Sequence, residues 1–357
     1  MTEGDRGINA LVEILNQTNA WEGTIQIVTQ KAGNLRILFE GIEEVIFTGC
    51  GSALNVAWVL APIFQSYTGI KARAVPSADC TYFPDTIFTK SSPTLVVPIS
   101  RSGDTTETVM ACDSAQAWGM KTLSITCNPA SQLSRMSTEY LGLVPASEKA
   151  VVTTQSVTSM VLCGQMIAAI VSGNTQLIEQ LNSLPAIGKT IIEKYHSLGR
   201  KIGENESLTK FAFVGNGPFY GLARECQLKV KEMVLLPSDS YPVLDFRHGP
   251  KSNVDEHMLV TMLMSDSAGD AEITFLQEMK ALDGIVLVIC EKANSEINRS
   301  ADYVVEVNSG LPEFVRSILY LPVVQFLAYY RSLLEGYDPD NPRNLTYYVA
   351  LDEAMER

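Results

Sequence analysis

Val96-Val-Pro-Ile-Ser-Arg-Ser-Gly-Asp-Thr-Thr-Glu107 joins an apolar run to an amphipathic one through a turn made of hydroxyls. The run Leu95–Ile99 reads as a buried strand, because it is rich in β-branched residues and stops at a turn signal. Ser100, Ser102, Gly103, Thr105 and Thr106 form the turn, and a helix is expected over Thr105–Trp118. Such a turn sets backbone N–H groups and short hydroxyls at a helix N-terminus. The orphan N–H groups and the positive end of the helix dipole favour a dianion there. Gly103 lets the backbone approach a ligand, and Arg101 adds a charge. The same hydroxyls equally suit a plain capping turn.

Outward from this stretch, strands alternate with helices. Residues 7–40 carry apolar positions at helical spacing and read as two helices. Glu44-Val-Ile-Phe-Thr-Gly-Cys-Gly-Ser52 is a strand running into a Gly-x-Gly turn, followed by a helix over 53–67 and a short strand near Lys71–Val75. Further strands are expected at Thr122–Cys127 and Tyr140–Val144, and a long apolar helix from Thr153 to Val171. This alternation predicts an α/β fold with a mainly parallel sheet covered by helices on both faces, three layers deep.

The second half repeats the first. Phe211-Ala-Phe-Val-Gly-Asn-Gly-Pro218 echoes Ile46–Ser52, and Leu259–Ser265 echoes Leu95–Ser100. Ile285–Cys290 echoes Thr122–Cys127, and Asp302–Val307 echoes Glu139–Val144. The pairs lie 163 to 166 residues apart, in the same order. A period this long means two copies of one domain, not a solenoid. The expected organisation is N-terminal helices over 1–40, a first domain over 41–182, a helical linker over 183–207, a second domain over 208–335, and a Pro- and Asn-rich tail or lid over 336–357.

Composition excludes several classes. The 357 residues carry a net charge of -13, which disfavours nucleic acid as a partner. The seven cysteines (50, 80, 112, 127, 163, 226, 290) form no CxxC pair and read as buried free thiols in a reducing compartment. The three histidines (196, 248, 257) lack metal-ligand spacing, so no metal site is expected. Met1-Thr-Glu-Gly-Asp is acidic, with no apolar core of a signal peptide. The apolar stretch Val157–Val171 is too short and interrupted to span a bilayer, so no membrane partner is expected. A cytoplasmic location follows as the expectation.

The two copies differ where chemistry would act. The second carries Ser265-Asp-Ser-Ala-Gly-Asp270 in place of the Ser/Thr turn, and its acids would repel a phosphate. One anion site per chain is therefore expected. The second copy instead carries Glu225, Lys229 and Glu232 at i, i+4 and i+7, on one face of the helix opened by Gly217-Pro218. Phe246-Arg-His-Gly-Pro250 follows, with His248. Such a face is commonly a solvated ion-pair face, and such a histidine a turn residue. Here the helix follows a Gly-x-Gly turn at a sheet edge, where open α/β folds bind ligands. A carboxylate beside an aldehyde or imine carbon moves a proton between adjacent carbons, and a histidine can open a sugar ring. A hydroxyl cradle on a remote phosphate orients the reacting carbons. The combination suggests cofactor-independent aldose–ketose chemistry on a sugar phosphate.

These stretches resemble the sugar isomerase (SIS) domain family in its two-domain arrangement. The resemblance rests on Thr48-Gly-Cys-Gly-Ser52, Ser100–Glu107, Glu148–Ser156, Arg224-Glu-Cys-Gln-Leu-Lys-Val-Lys-Glu232, Phe246-Arg-His-Gly-Pro-Lys251 and Pro342-Arg-Asn-Leu345. The chain is similar to the isomerase half of glucosamine-6-phosphate synthase. It is closer to stand-alone glucosamine- or galactosamine-6-phosphate deaminases/isomerases. The resemblance implies substrate and phosphate binding by Gly51, Ser52, Ser100, Arg101, Ser102 and Thr105, with Thr153 or Thr154 near the sugar. It implies Glu232 as the C1–C2 base, His248 in ring opening, and Lys229 and Glu225 as further residues of the catalytic helix. It also implies a homodimer with a shared active site. The long apolar helix over 153–171, apolar on more than one face, fits packing against a second subunit.

Two positions depart from the synthase pattern. Ala53 replaces a phosphate-binding serine, and Tyr347 stands where the synthase has an imine-forming lysine. No N-terminal cysteine nucleophile is present to release ammonia from glutamine, so glutamine-dependent synthesis is not expected. The expected reaction is conversion of an amino-sugar 6-phosphate to a keto-sugar 6-phosphate plus ammonia. Isomerisation of a neutral sugar phosphate and removal of an amine from a fructosamine phosphate share the same C1–C2 step. A sugar-phosphate sensor would need the cradle but no base.

Overall fold

Two parallel five-stranded sheets flanked by helices make up the protein, as the alternating pattern predicts. The computed structural model describes residues 6–90 and 92–350. The first sheet comprises β1 (Glu44–Gly49), β2 (Lys71–Pro76), β3 (Thr94–Pro98), β4 (Lys121–Thr126) and β5 (Glu139–Gly142), in the order β2-β1-β3-β4-β5. The second comprises β6 (Lys210–Gly215), β7 (Ser238–Tyr241), β8 (Met258–Leu263), β9 (Ile285–Cys290) and β10 (Tyr303–Glu306), in the order β7-β6-β8-β9-β10. The two orders correspond strand for strand. All pairings are parallel, with Glu44 opposite Thr94 in one sheet and Lys210 opposite Met258 in the other.

The central strands β3 and β8 are buried at every position. That is why they read as near-continuous apolar runs, interrupted only by buried threonine, rather than alternating ones. The strand β7 was not expected from the sequence. It is Ser-Asp-Ser-Tyr, a polar edge strand with one fully buried residue, so it leaves no hydrophobic pattern.

The chain divides into two compact units. The first comprises Asn16–Pro185 and the described residues from Asn344 onward; the second comprises the described residues up to Leu15 and Ala186–Arg343. In the first unit, Ile46, Val75, Cys80, Phe88, Val96, Ala111 and Ala115 form a core on one face of the sheet. The helix Gln155–Val171 is buried from Gln155 to Ile170. Its Gly164 packs so closely on the helix Ser52–Thr68 that a Cβ would lie 2.4 Å from the methyl carbons of Leu60. Its apolar character on several faces reflects burial within the chain, so it no longer argues for a second subunit.

In the second unit, a core of Val214, Val260, Met262, Phe275, Leu276 and Val288 lies under the helix Gly269–Ala281. The start of the helix Ile8–Gln30 is capped by the acidic tail. Asp340 accepts from the backbone N–H of Asn9 (2.9 Å) and Ala10 (2.7 Å), and Asp338 accepts from Gly7 (2.9 Å). Carboxylates at a helix N-terminus satisfy its orphan donors and its dipole. All seven cysteines are unpaired; six are buried and Cys50 is half-buried. Among the described residues, no helix is long and apolar enough to cross a membrane.

Candidate active site

The carboxyl ends of the adjacent strands β1 and β3 carry the hydroxyl turn and the first Gly-x-Gly turn. Ligands of open α/β sheets bind at such ends. After β1, Gly49 lies against the next helix, where a Cβ would sit 2.8 Å from the carbonyl carbon of Ala53. Gly51 then adopts φ 56° and Ser52 begins the helix Ser52–Thr68. The second unit repeats this turn closely: Gly217 has φ 53° and ψ -128°, against 56° and -125° at Gly51.

After β3, the hydroxyls converge. Ser100 Oγ lies 3.1 Å from Thr105 Oγ1 and 3.4 Å from Ser102 Oγ. Ser100 Oγ accepts from the backbone of Gly103 (3.0 Å), and Ser102 Oγ from Asp104 (3.2 Å). Gly103 has φ +71°, and a Cβ there would meet Ser131 Oγ at 2.1 Å, so the turn needs glycine twice over. Thr105 is the N-cap residue of the helix Thr106–Ala117, yet its side chain makes no capping bond. The hydroxyls thus form a small cradle rather than a simple cap. On the neighbouring loop, Thr153 Oγ1 donates to Ser52 Oγ at 2.8 Å.

Two of the expected binding residues are committed elsewhere. Thr154 is fully buried, and both its N–H (2.6 Å) and its hydroxyl (3.1 Å) donate to Glu148. The guanidinium of Arg101 also turns to Glu148, at 3.1 Å, and to the carbonyls of Ala150, Val152 and Tyr347. The Glu148 side chain is 0% exposed and also accepts from Ser156 N–H and Oγ. The sequence reading assigned Glu148 no role. A lone acid inside a quoted motif, shortly before a hydroxyl-rich helix start, was the available signal.

In the second unit, the helix Pro218–Met233 holds the expected triplet. Lys229 Nζ lies 3.3 Å from Glu225 Oε1 and 2.7 Å from Glu232 Oε2. Glu225 and Lys229 are buried (2% and 1%), whereas the Glu232 side chain keeps 21% exposure. This is therefore not a solvated ion-pair face. Burial works to lower the lysine pKa, but the charges and hydrogen bonds of Glu225 and Glu232 outweigh it, and the net shift is upward. Lys229 is held as an ammonium. His248 is exposed at the end of a short 3₁₀ turn; its backbone N–H donates to Asp245 O at 2.9 Å.

The degenerate turn of the second unit is filled by the protein's own acids. Glu313 accepts from the backbone of Asp266 (2.7 Å) and Ser267 (3.2 Å). Glu272 accepts from the N–H (2.8 Å) and hydroxyl (3.0 Å) of Ser265 and from Asn216 Nδ2 (2.9 Å). Burial raises the Glu272 pKa. Asp266, the acid expected to repel an anion, is instead paired with the buried Arg316. Sequence reading found the divergence but not these internal substitutes for an anion.

Comparison with known proteins agrees with this architecture. A glutamine–fructose-6-phosphate aminotransferase (isomerizing) of Caldanaerobacter subterraneus subsp. tengcongensis is 26% identical over 337 residues, 92% of this chain and 55% of that protein. The chain thus spans about half the length of the curated relatives it matches. Among solved structures, a tagatose-6-phosphate ketose/aldose isomerase from Escherichia coli shares the fold, with TM-score 0.85, 23% identity and coverage of 94% of this chain and 95% of that one. A glucosamine-6-phosphate deaminase from Thermotoga maritima gives TM-score 0.71 and 26% identity, covering 92% of this chain and all of that one. The SIS domain model matches residues 39–170 and 209–332, one match on each half of the repeat, and the chain belongs to the SIS domain family.

Proposed function

We propose that the protein is a phosphosugar isomerase that converts an amino-sugar 6-phosphate, glucosamine or galactosamine 6-phosphate, to the keto-sugar 6-phosphate and ammonia. The observation that carries this reading is the setting of Glu232. A buried lysine, its pKa raised by the two flanking acids, fixes the carboxylate at 2.7 Å, while part of the Glu232 side chain stays accessible to a substrate. A general base needs both a fixed geometry and access to the proton it takes.

In this reading, the hydroxyls of Ser52, Ser100, Ser102 and Thr105 hold the phosphate. Gly51 allows its close approach, and Thr153 lies beside the sugar. His248 protonates the ring oxygen and opens the ring to the aldehyde. Glu232 removes the C2 proton, giving the 1,2-enolamine, and returns a proton to C1. The product is an imine at C2. Water adds to it and ammonia leaves, giving the ketose phosphate. Lys229 and Glu225 keep Glu232 in place. The likeness to the Thermotoga maritima deaminase suggests the amine, the likeness to the Escherichia coli tagatose-6-phosphate isomerase suggests a neutral sugar, and ammonia release separates the two. The working form in this reading is a homodimer, which sedimentation tests.

The test is ammonia release from glucosamine 6-phosphate and galactosamine 6-phosphate, beside Glu232→Gln. Ammonia with a ketose phosphate, lost in the variant, supports the reading. Exchange of the substrate C2 proton with solvent but no ammonia replaces it with a neutral isomerase or a fructosamine-phosphate deglycase. Tight binding with neither signal replaces it with a sensor.

A further inference from the structure

We propose that Arg101 is the latch of the carboxyl-terminal segment rather than a ligand of the phosphate. The inference rests on the phosphate cradle of the proposed function for its binding arm only.

Both terminal nitrogens of the guanidinium are already engaged. Nη1 donates to Glu148 Oε2 (3.1 Å) and to the carbonyls of Ala150 (3.1 Å) and Val152 (3.3 Å). Nη2 donates to Tyr347 O at 2.7 Å, and the guanidinium carbon lies 3.9 Å from the centre of the Tyr347 ring. Arg101 is 8% exposed and the Glu148 side chain 0%. Turning Arg101 outward to a phosphate would break a buried charge pair, which is strongly unfavourable.

The segment is gripped at two further points. The Tyr347 hydroxyl donates to Glu148 O at 3.1 Å, and the backbone N–H of Thr106 donates to Val349 O at 3.3 Å. Arg101 and Thr106 flank Ser102 and Thr105 in sequence, so the segment is tied to both ends of the cradle turn. Thr106 begins its helix, so its N–H is one of the orphan donors of the helix N-terminus. An aromatic ring at 347 suits a guanidinium lying over it. A cation at 347 would instead be repelled. Arg101 is therefore a positioning residue: it fixes the strap that borders the cradle, and the hydroxyls bind the anion.

The experiment is hydrogen–deuterium exchange on the full chain with Arg101→Met and Tyr347→Leu, beside calorimetry with inorganic phosphate and glucosamine 6-phosphate. The latch requires the amides of 346–349 to exchange at least tenfold faster in both variants. It also requires Arg101→Met to change either affinity less than threefold, whereas Ser100→Ala lowers both by tenfold or more. Unchanged exchange in Tyr347→Leu, or a tenfold loss of anion affinity in Arg101→Met with the strap unaltered, overturns it. Tyr347→Leu leaves the Arg101–Glu148 pair intact, and Tyr347→Phe, which loses only the hydroxyl bond to Glu148 O, is its control: a strap loosened as much in Tyr347→Phe as in Tyr347→Leu assigns the hold to that bond and overturns the latch even where Arg101→Met folds poorly. If the wild-type chain binds neither anion, the proposed function fails while the exchange data still decide the latch.

Discussion

Replacing Glu148 by alanine removes one carboxylate and strands several partners at once. Its two oxygens accept five hydrogen bonds, from Thr154 N–H and Oγ1, Ser156 N–H and Oγ, and Arg101 Nη1. The helix Gln155–Val171 has no side-chain cap from its own N-cap residue Thr154, so Glu148 supplies that function from a distance. Loss of one partner of a buried pair costs about 3–5 kcal/mol, and loss of a cap about 1 kcal/mol. We therefore expect the first unit to lose about 4–6 kcal/mol, a large share of the ~5–15 kcal/mol typical of a native protein. The assay is denaturant unfolding followed by tryptophan fluorescence. The three tryptophans, at 21, 58 and 118, all lie in the first unit, so the signal reports that unit alone. Because much of the cost is an unpaired guanidinium, Glu148→Ala with Arg101→Met should be less destabilised than the sum of the single variants, by about 1–3 kcal/mol. A loss below about 1 kcal/mol in Glu148→Ala, or strict additivity in the double variant, would refute the reasoning.

Other perturbations test other parts of the molecule. Lys229 has a raised folded pKa, so its stabilising charge is intact below the unfolded value of 10.5 and is lost as pH rises through the folded value. Stability of the second unit should fall in strongly alkaline solution, and Lys229→Met should remove that step when unfolding is measured by hydrogen exchange across pH. His196 is held below its ordinary pKa by burial and by Arg200, with Nε2 2.6 Å from the Tyr330 hydroxyl. The unfolded chain therefore protonates first, and stability should drop as pH falls below 6.5; His196→Gln should flatten that slope. Gly103→Ala meets both a positive φ and a 2.1 Å contact, whereas Gly51→Ala meets φ +56° in open space. Strain alone costs about 1–3 kcal/mol, so the Gly103 variant should shift the tryptophan transition further; equal shifts would contradict the close packing on Ser131. Glu232→Gln should lower substrate C2 proton exchange by about 10²–10⁴-fold; retained exchange would remove Glu232 as the base.

Much of this arrangement is legible in the linear chain because the signals are local. A strand buried on both faces is an apolar run, and β3 and β8 announce themselves in that way. Two copies of one pattern state a tandem fold without further help. The spacing of Glu225, Lys229 and Glu232 follows from the helical repeat alone. Where the local signal fails, the element is missed. The edge strand β7 is short and polar, and its place is set by pairing Phe211–Val214 with Ser238–Tyr241.

The sequence by itself determined the α/β class, the hydroxyl turn and the one-face triplet, because each depends on neighbours a few residues apart, and the duplication, because the same local patterns recur in the same order 163 to 166 residues on. Only the tertiary structure decided what those groups are free to do. Whether Lys229 faces water or is buried between two acids depends on what packs over its helix. Whether Arg101 is available to an anion depends on Glu148, 47 residues on, and Tyr347, 246 residues on. A charged side chain is directed by the partners that offset its desolvation, and those partners are brought to it by the fold.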